Sequence, residues 1–170
     1  SLNSACNLNL PVVYVVEDNG YAISVPVEVQ TAGGSISKLV SGFPGLHILE
    51  CDGTDVVEAY RTAGEAIAYA RERKGPALIH AHCTRPYSHS MSDDERTYRT
   101  EEERAAQEVR DPLTRTRSLL IENGIASEEE LDTLEASIAD EVVQAADDAL
   151  TPWSVDVELG EVGSDVYDIW

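Results

Sequence analysis

The five residues Glu17-Asp18-Asn19-Gly20-Tyr21 place two carboxylates, a primary amide, a glycine and a phenol directly after an apolar run. Such a set can hold a divalent cation. Asn19 offers a side-chain carbonyl oxygen without adding charge, and Gly20 lets the backbone turn so that the Tyr21 carbonyl reaches the same ion. Magnesium takes near-octahedral oxygen ligands shared among a few protein groups, water and phosphates, so two neutral oxygens suit an ion facing an anionic diphosphate. Asp-Asn-Gly is also ordinary turn chemistry, and spacing alone leaves both readings open.

A second group lies in the polar stretch from Thr84 to Arg99, "TRPYSHSMSDDERTYR", which has no apolar periodicity. It carries Arg85, His89, Ser90, Ser92, Asp93, Asp94, Tyr98 and Arg99. An arginine fork grips phosphate or carboxylate, and a histidine near a strand end relays a proton close to neutral pH. The aspartates can tether the loop to Arg85 or Arg99. A polar loop of this length is usually functional or disordered. Just before it, His80 and His82 alternate with Ile79 and Ala81, so one of the two is expected to face the core or a neighbouring element. A metal pair there needs further ligands that the sequence does not name.

Three apolar runs must position these groups. "VVYVV" (12–16) reads as a parallel strand covered on both faces, and "LHILECD" (46–52) and "PALIHAHC" (76–83) as two more. Between the last two, Val56, Val57, Tyr60, Ala63, Ile67 and Ala70 recur at helical spacing, with Asp55 and Glu58 as a capping box and Gly75 as a stop. Strand, helix, strand predicts an α/β fold with an open, mostly parallel sheet and flanking helices. In such sheets ligands bind beyond the carboxyl ends of strands, where the Asn19 cluster sits. Residues 100–124 and 127–150 read as C-terminal helices, the second opened by a Ser127/Glu130 capping box, and 151–170 as a linker or tail.

The composition narrows the partners. A 170-residue chain with 42% hydrophobic residues supports a folded core, while a formal charge of −20 repels nucleic-acid backbones. No apolar run approaches the roughly 18 residues needed to cross a bilayer. Three cysteines without a CxxC pair indicate a reducing compartment, and the expected location is cytoplasmic, or the mitochondrial matrix in a eukaryote. The opening "SLNSACNLNLP" reads as a helix tail running into a strand, as in a fragment of a longer domain.

With "PVVYVVEDNGYAISVP", "GPALIHAHCTR", "HSMSDDERTYRTEEE" and "DPL" in this order, the chain is similar to the alpha subunit of the thiamine-diphosphate-dependent decarboxylating component of 2-oxo acid dehydrogenase complexes. The resemblance implies that residues 1–150 are the C-terminal part of a thiamine-diphosphate-binding domain. Asn19 and Tyr21 would supply the Mg2+ ligands, by side chain and backbone respectively. Asn19, Tyr21, Ile23, Arg85 and His89 would lie at the cofactor, with Arg85 on its diphosphate and His89 as the catalytic residue at the active-site mouth. Ser90 matches a serine that kinases modify in mitochondrial relatives, and Ser90, Asp93, Tyr98 and Arg99 would order the loop. The implied substrate is a small 2-oxo acid, pyruvate or branched-chain. The implied partners are a beta subunit, or a beta-type module in the same polypeptide, and the lipoyl domain of an acyltransferase, in a heterotetramer or a homodimer of fused chains.

The sequence departs from the pattern in places. Asp18 stands where many relatives have asparagine, and Ser88 where they often have glycine or histidine. The signature's opening "GDG", which brings the carboxylate ligand, is expected about 30 residues before Asn19, upstream of Ser1. Three other readings remain: a non-catalytic scaffold that keeps the fold, a transketolase-like thiamine-diphosphate enzyme, and a flavodoxin-like regulatory domain built on Asp52, Asp55 and a facing lysine.

Overall fold

A computed structural model describes residues 1–150. They fall into two compact units, Ser1–Asn123 and the stretch from Gly124 onward. The tail expected over 151–170 lies outside the described residues.

After helix α1 (Leu2–Asn7), the first unit is built on three parallel strands, β1 (Val13–Asp18), β4 (His47–Asp52) and β5 (Ala77–His82), in the order β1-β5-β4. The sheet is the predicted one. Its centre is β5, whose residues Ala77 to Ala81 are all buried. β1 was expected to be covered on both faces, yet Val15 is 60% exposed. Among the described residues β1 is an edge strand, paired on one side only. The register sets Asp18 and Asp52 both opposite His82, so three polar side chains converge at the carboxyl end of the sheet.

Helix α4 (Val56–Arg71) connects β4 to β5 and packs on the sheet through Ala63 and Ala66, with Cys51, Ile79 and Ala81 beneath. Asp55 caps it by accepting from Val57 N at 2.9 Å and Glu58 N at 3.0 Å. The reciprocal half of the expected box is absent, because Glu58 accepts from Asp52 N at 3.1 Å and ties the helix start to the strand end. The stop also differs. Arg73 adopts the left-handed conformation (φ 56°), while Gly75 serves a close chain approach, where an added Cβ would lie 2.8 Å from the Gly45 carbonyl oxygen.

Between β1 and β4 the chain forms a small hairpin, β2 (Tyr21–Ala22) with β3 (Val25–Pro26), then the short helices α2 (Val27–Gln30) and α3 (Ile36–Val40). The helical region after the polar loop is split into α5 (Glu101–Glu108) and α6 (Pro112–Glu122). Thr100 and Glu103 form a capping box on α5, and Asp111 caps α6 ahead of Pro112, whose missing N–H costs nothing in a first turn.

In the second unit, α7 (Glu128–Leu150) begins at the predicted box: Ser127 N donates to Glu130 Oε2 at 2.8 Å and Glu130 N to Ser127 Oγ at 3.2 Å. No described helix is long and apolar enough to cross a membrane.

Candidate functional site

Asn19 and Gly20 form the turn between β1 and β2. Asp18 Oδ1 accepts from Gly20 N at 2.8 Å, and Asn19 Oδ1 accepts from Tyr21 N at 3.1 Å. Gly20 has φ 78°, a conformation that a Cβ disfavours. The Asn19 amide oxygen keeps one lone pair beyond its backbone bond. Asn19, Gly20 and Tyr21 line a cavity of about 560 Å³ together with His82, Glu103 and Arg110.

The hairpin carries strain. Ile23 has φ 60°, which is unusual for a β-branched residue, and its side chain is 53% exposed. The Ile23 carbonyl accepts from Arg85 Nη1 at 2.9 Å, so the polar loop clamps the strained turn. Positions held in this way concentrate at functional sites.

Arg85 then opens a chain of hydrogen bonds. Its Nη2 donates to the Tyr98 hydroxyl at 2.7 Å, and that hydroxyl donates to Asp93 Oδ2 at 2.5 Å. The same carboxylate oxygen accepts from His89 N at 2.8 Å. The Tyr98 bond, then the His89 amide, hold the Asp93 carboxyl below its ordinary range, while burial and Asp93 push the Tyr98 phenol up. Arg99 is buried, and its Nη1 donates to the Arg85 carbonyl at 2.8 Å and Glu95 Oε2 at 3.0 Å. The Arg99 guanidinium also stacks near the Tyr21 ring, which lies 5.7 Å from the ring of Tyr98.

The sequence-predicted residues therefore meet in part. Asn19 and Tyr21 line the large cavity, Ile23 and Arg85 bond to each other, and Asp93, Tyr98 and Arg99 hold the loop against them. Arg85 and Arg99 line a neighbouring cavity of about 300 Å³. His89 and Ser90 are exposed and line neither. Ser90 Oγ lies 3.2 Å from Ser92 Oγ.

The donor set can be tested against a magnesium diphosphate. Arg85 Nε and Arg99 Nε and Nη2 are buried with no acceptor among the described residues. Buried guanidinium N–H groups without acceptors suit an oxyanion. Asn19 and the Tyr21 backbone can add neutral oxygens, which suit an ion already facing phosphates. The residues present fit the group.

Several participants were not anticipated. Gln107 accepts from Arg85 N at 3.2 Å, and Glu95 is the carboxylate partner of Arg99. Asp52 accepts from Arg110 at 2.9 Å and from Arg115 at 2.8 Å, and Arg115 also donates to Thr54 Oγ1. Burial opposes ionisation of Asp52, but bonds from Thr54 and the two arginines outweigh it and hold the carboxyl far below the ordinary aspartate range. The flavodoxin-like alternative required a lysine opposite Asp52; two arginines stand there instead.

His80 is 1% exposed, with Nε2 2.8 Å from Asp18 Oδ2 and Nδ1 3.1 Å from Ser37 Oγ. Ser37 donates to Glu50 Oε1 at 2.5 Å, and Glu50 Oε2 lies 3.4 Å from His82 Nε2. Burial opposes ionisation of Asp18, yet the bonds from His80 and Gly20 keep its carboxyl below the ordinary value. Glu50 is lowered by its bond from Ser37, with His82 adding to it. Only the His80–His82 spacing hinted at this network, since Ser37 and Glu50 come from distant segments.

The family model described as "Dehydrogenase E1 component" matches residues 1–152. The chain is 36% identical over 172 aligned residues to the 3-methyl-2-oxobutanoate dehydrogenase subunit alpha of Mycobacterium tuberculosis, covering 98% of this chain and 45% of the relative. It is 33% identical over 150 residues to the pyruvate dehydrogenase E1 component subunit alpha of Porphyra purpurea, with 88% and 43% covered. It is 37% identical over 147 residues to the 2-oxoisovalerate dehydrogenase subunit alpha of Bacillus subtilis, with 86% and 43% covered. The chain thus spans less than half the length of these relatives. With the family model covering nearly the whole chain and relatives of one kind on either side of the substrate divide, this chain belongs to the dehydrogenase E1 component family.

Proposed function

We propose that this chain is the diphosphate- and Mg2+-holding part of a thiamine-diphosphate-dependent 2-oxo acid dehydrogenase. The observation that carries this reading is the joining of two segments far apart in sequence, with Arg85 bonded to the Ile23 carbonyl and Arg99 stacked on Tyr21. Thiamine diphosphate would supply the capacity to take up the electron pair released when a 2-oxo acid loses carbon dioxide.

The chain's own residues bind and orient. Asn19 would hold Mg2+ by its amide oxygen and Tyr21 by its backbone carbonyl. Arg85 and Arg99 would offer their unshared N–H groups to the anionic end of the cofactor. Asp93 and Tyr98 order the loop that carries His89, whose exposed imidazole would pass a proton at the substrate when the complete site is assembled. A phosphate on exposed Ser90 would add a dianion beside Asp93 and Asp94 and loosen the loop by repulsion.

The relatives are named as pyruvate, 3-methyl-2-oxobutanoate and 2-oxoisovalerate dehydrogenases, and a small 2-oxo acid is the proposed substrate class. A beta subunit or beta-type module and a lipoyl-bearing acyltransferase are the proposed partners, in the cytoplasm or the mitochondrial matrix. Calorimetry of the full-length protein with its partner tests the reading. Thiamine diphosphate should bind only with Mg2+, and Asn19→Ala should weaken binding with partial rescue by added Mg2+. No binding at millimolar cofactor would favour the scaffold instead.

A further inference from the structure

The pair His80 and His82 stands on one face of β5, and the tertiary structure adds the third donor that the sequence did not name. We propose that Asp18, His80 and His82 form a site for one first-row divalent cation of the zinc type, distinct from the oxygens of Asn19 and Tyr21. One ligand atom from each lies within 4.8 Å of the others. The β1–β5 register sets Asp18 opposite His82, so the sheet itself holds the three together. Two imidazoles and one carboxylate are a donor set for zinc or its neighbours, whereas magnesium and calcium prefer oxygens throughout.

The protons at His80 support this assignment. Ser37 has one hydroxyl proton, and its 2.5 Å bond to the Glu50 carboxylate uses it. The Ser37 oxygen must then accept from His80 Nδ1–H, 3.1 Å away. His80 Nε2 then faces Asp18 Oδ2 across 2.8 Å, and what joins them is either a second ring proton, as in the hydrogen bond described above, or a cation in its place. A metal-bound histidine typically has this arrangement, its other N–H anchored to a polar group that is itself held by a carboxylate. Ligand distances of about 2.0–2.2 Å require the gap to open by only about half an ångström.

Asp18 is prepared in the same way. Gly20 N occupies Oδ1, which leaves Oδ2 for the ion. His82 is about half exposed and lines the 560 Å³ cavity with Asp18, so an ion can arrive from that side and keep an open fourth position there. A cation on Oδ2 would stiffen the Asn19-Gly20 turn through the bond on Oδ1.

The site needs no thiamine diphosphate, so it is tested without it. The full-length, untagged protein is stripped with a chelator, then titrated with Zn2+ by calorimetry and with Co2+ by visible spectroscopy. The expected result is one ion per chain, Co2+ bands of a nitrogen- and oxygen-ligated centre, and affinity lowered about tenfold or more by His82→Ala and by Asp18→Asn. Asn19→Ala should leave it unchanged. His82 is exposed enough to be replaced without unfolding the core. Absence of binding, or affinity indifferent to His82→Ala, would overturn the site and leave a hydrogen-bonded core network. Equal loss in Asn19→Ala would overturn its distinctness from the Mg2+ oxygens.

Discussion

The Arg99 guanidinium carbon lies 4.7 Å from the centre of the Tyr21 ring, and this contact joins a turn at the end of the first strand to a loop nearly eighty residues later. Arg99 also reaches the Arg85 carbonyl, so one buried side chain links the hairpin, the loop and Arg85. Cation–π contact and charge-assisted hydrogen bonds both gain from the low dielectric around it.

Arg99→Ala should destabilise the protein by about 3 kcal/mol, because it leaves the mostly buried Glu95 carboxylate and the Arg85 carbonyl without their donor. Arg99→Lys should recover less than half of this, since an ammonium cannot reproduce the planar fork. Urea midpoints measure both; a loss within error of zero for Arg99→Ala would remove it as the anchor.

Tyr98→Phe deletes the hydroxyl that accepts from Arg85 and donates to Asp93 while preserving the ring beside Tyr21. The loop over 86–94 should become several-fold more sensitive to limited proteolysis with little change in global unfolding. Equal cleavage rates would show that the loop is held by other contacts.

Ile23→Gly should stabilise the chain by about 1 kcal/mol, because φ 60° costs a β-branched residue and not glycine. The same change should weaken thiamine diphosphate binding if Ile23 touches the cofactor. A gain in stability with unaltered binding would confine Ile23 to the hairpin.

Asp52→Asn removes the carboxylate shared by Arg110 and Arg115 and should cost about 1 kcal/mol at neutral pH, discounted because the side chain is 32% exposed. Folding depresses this acid below its ordinary 3.8, so its contribution is complete above that value and is lost only as the pH falls through the lower folded value. The gap between wild type and Asp52→Asn should stay constant from pH 7 to about 5 and close in stronger acid. A gap that closes near pH 6 would assign the effect to another group.

His89→Ala should leave thiamine diphosphate affinity unchanged and depress turnover of the complete enzyme at least tenfold, since among the described residues His89 bonds to the loop through its backbone N–H and not its imidazole. Undiminished turnover would remove the imidazole from the reaction.

The parallel sheet, the helix after Asp55 and the cap at Ser127 were readable in the sequence because each rests on local rules: β-branched runs, 3.6-residue periodicity and side-chain oxygens near free N–H groups. The split at Asp111–Pro112 was local too, although the apolar pattern runs across it. The Asn19 turn and the Arg85–Arg99 loop were also legible as candidates for chemistry, since their residue types cluster within a few positions. What they do to each other was decided by tertiary structure. The stacking of Arg99 on Tyr21, the pairing of Asp52 with Arg110 and Arg115, and the run from Asp18 through His80 and Ser37 to Glu50 join residues dozens of positions apart. No local periodicity encodes them, because they arise from strand register and from the low dielectric that forces each buried charge to find a partner.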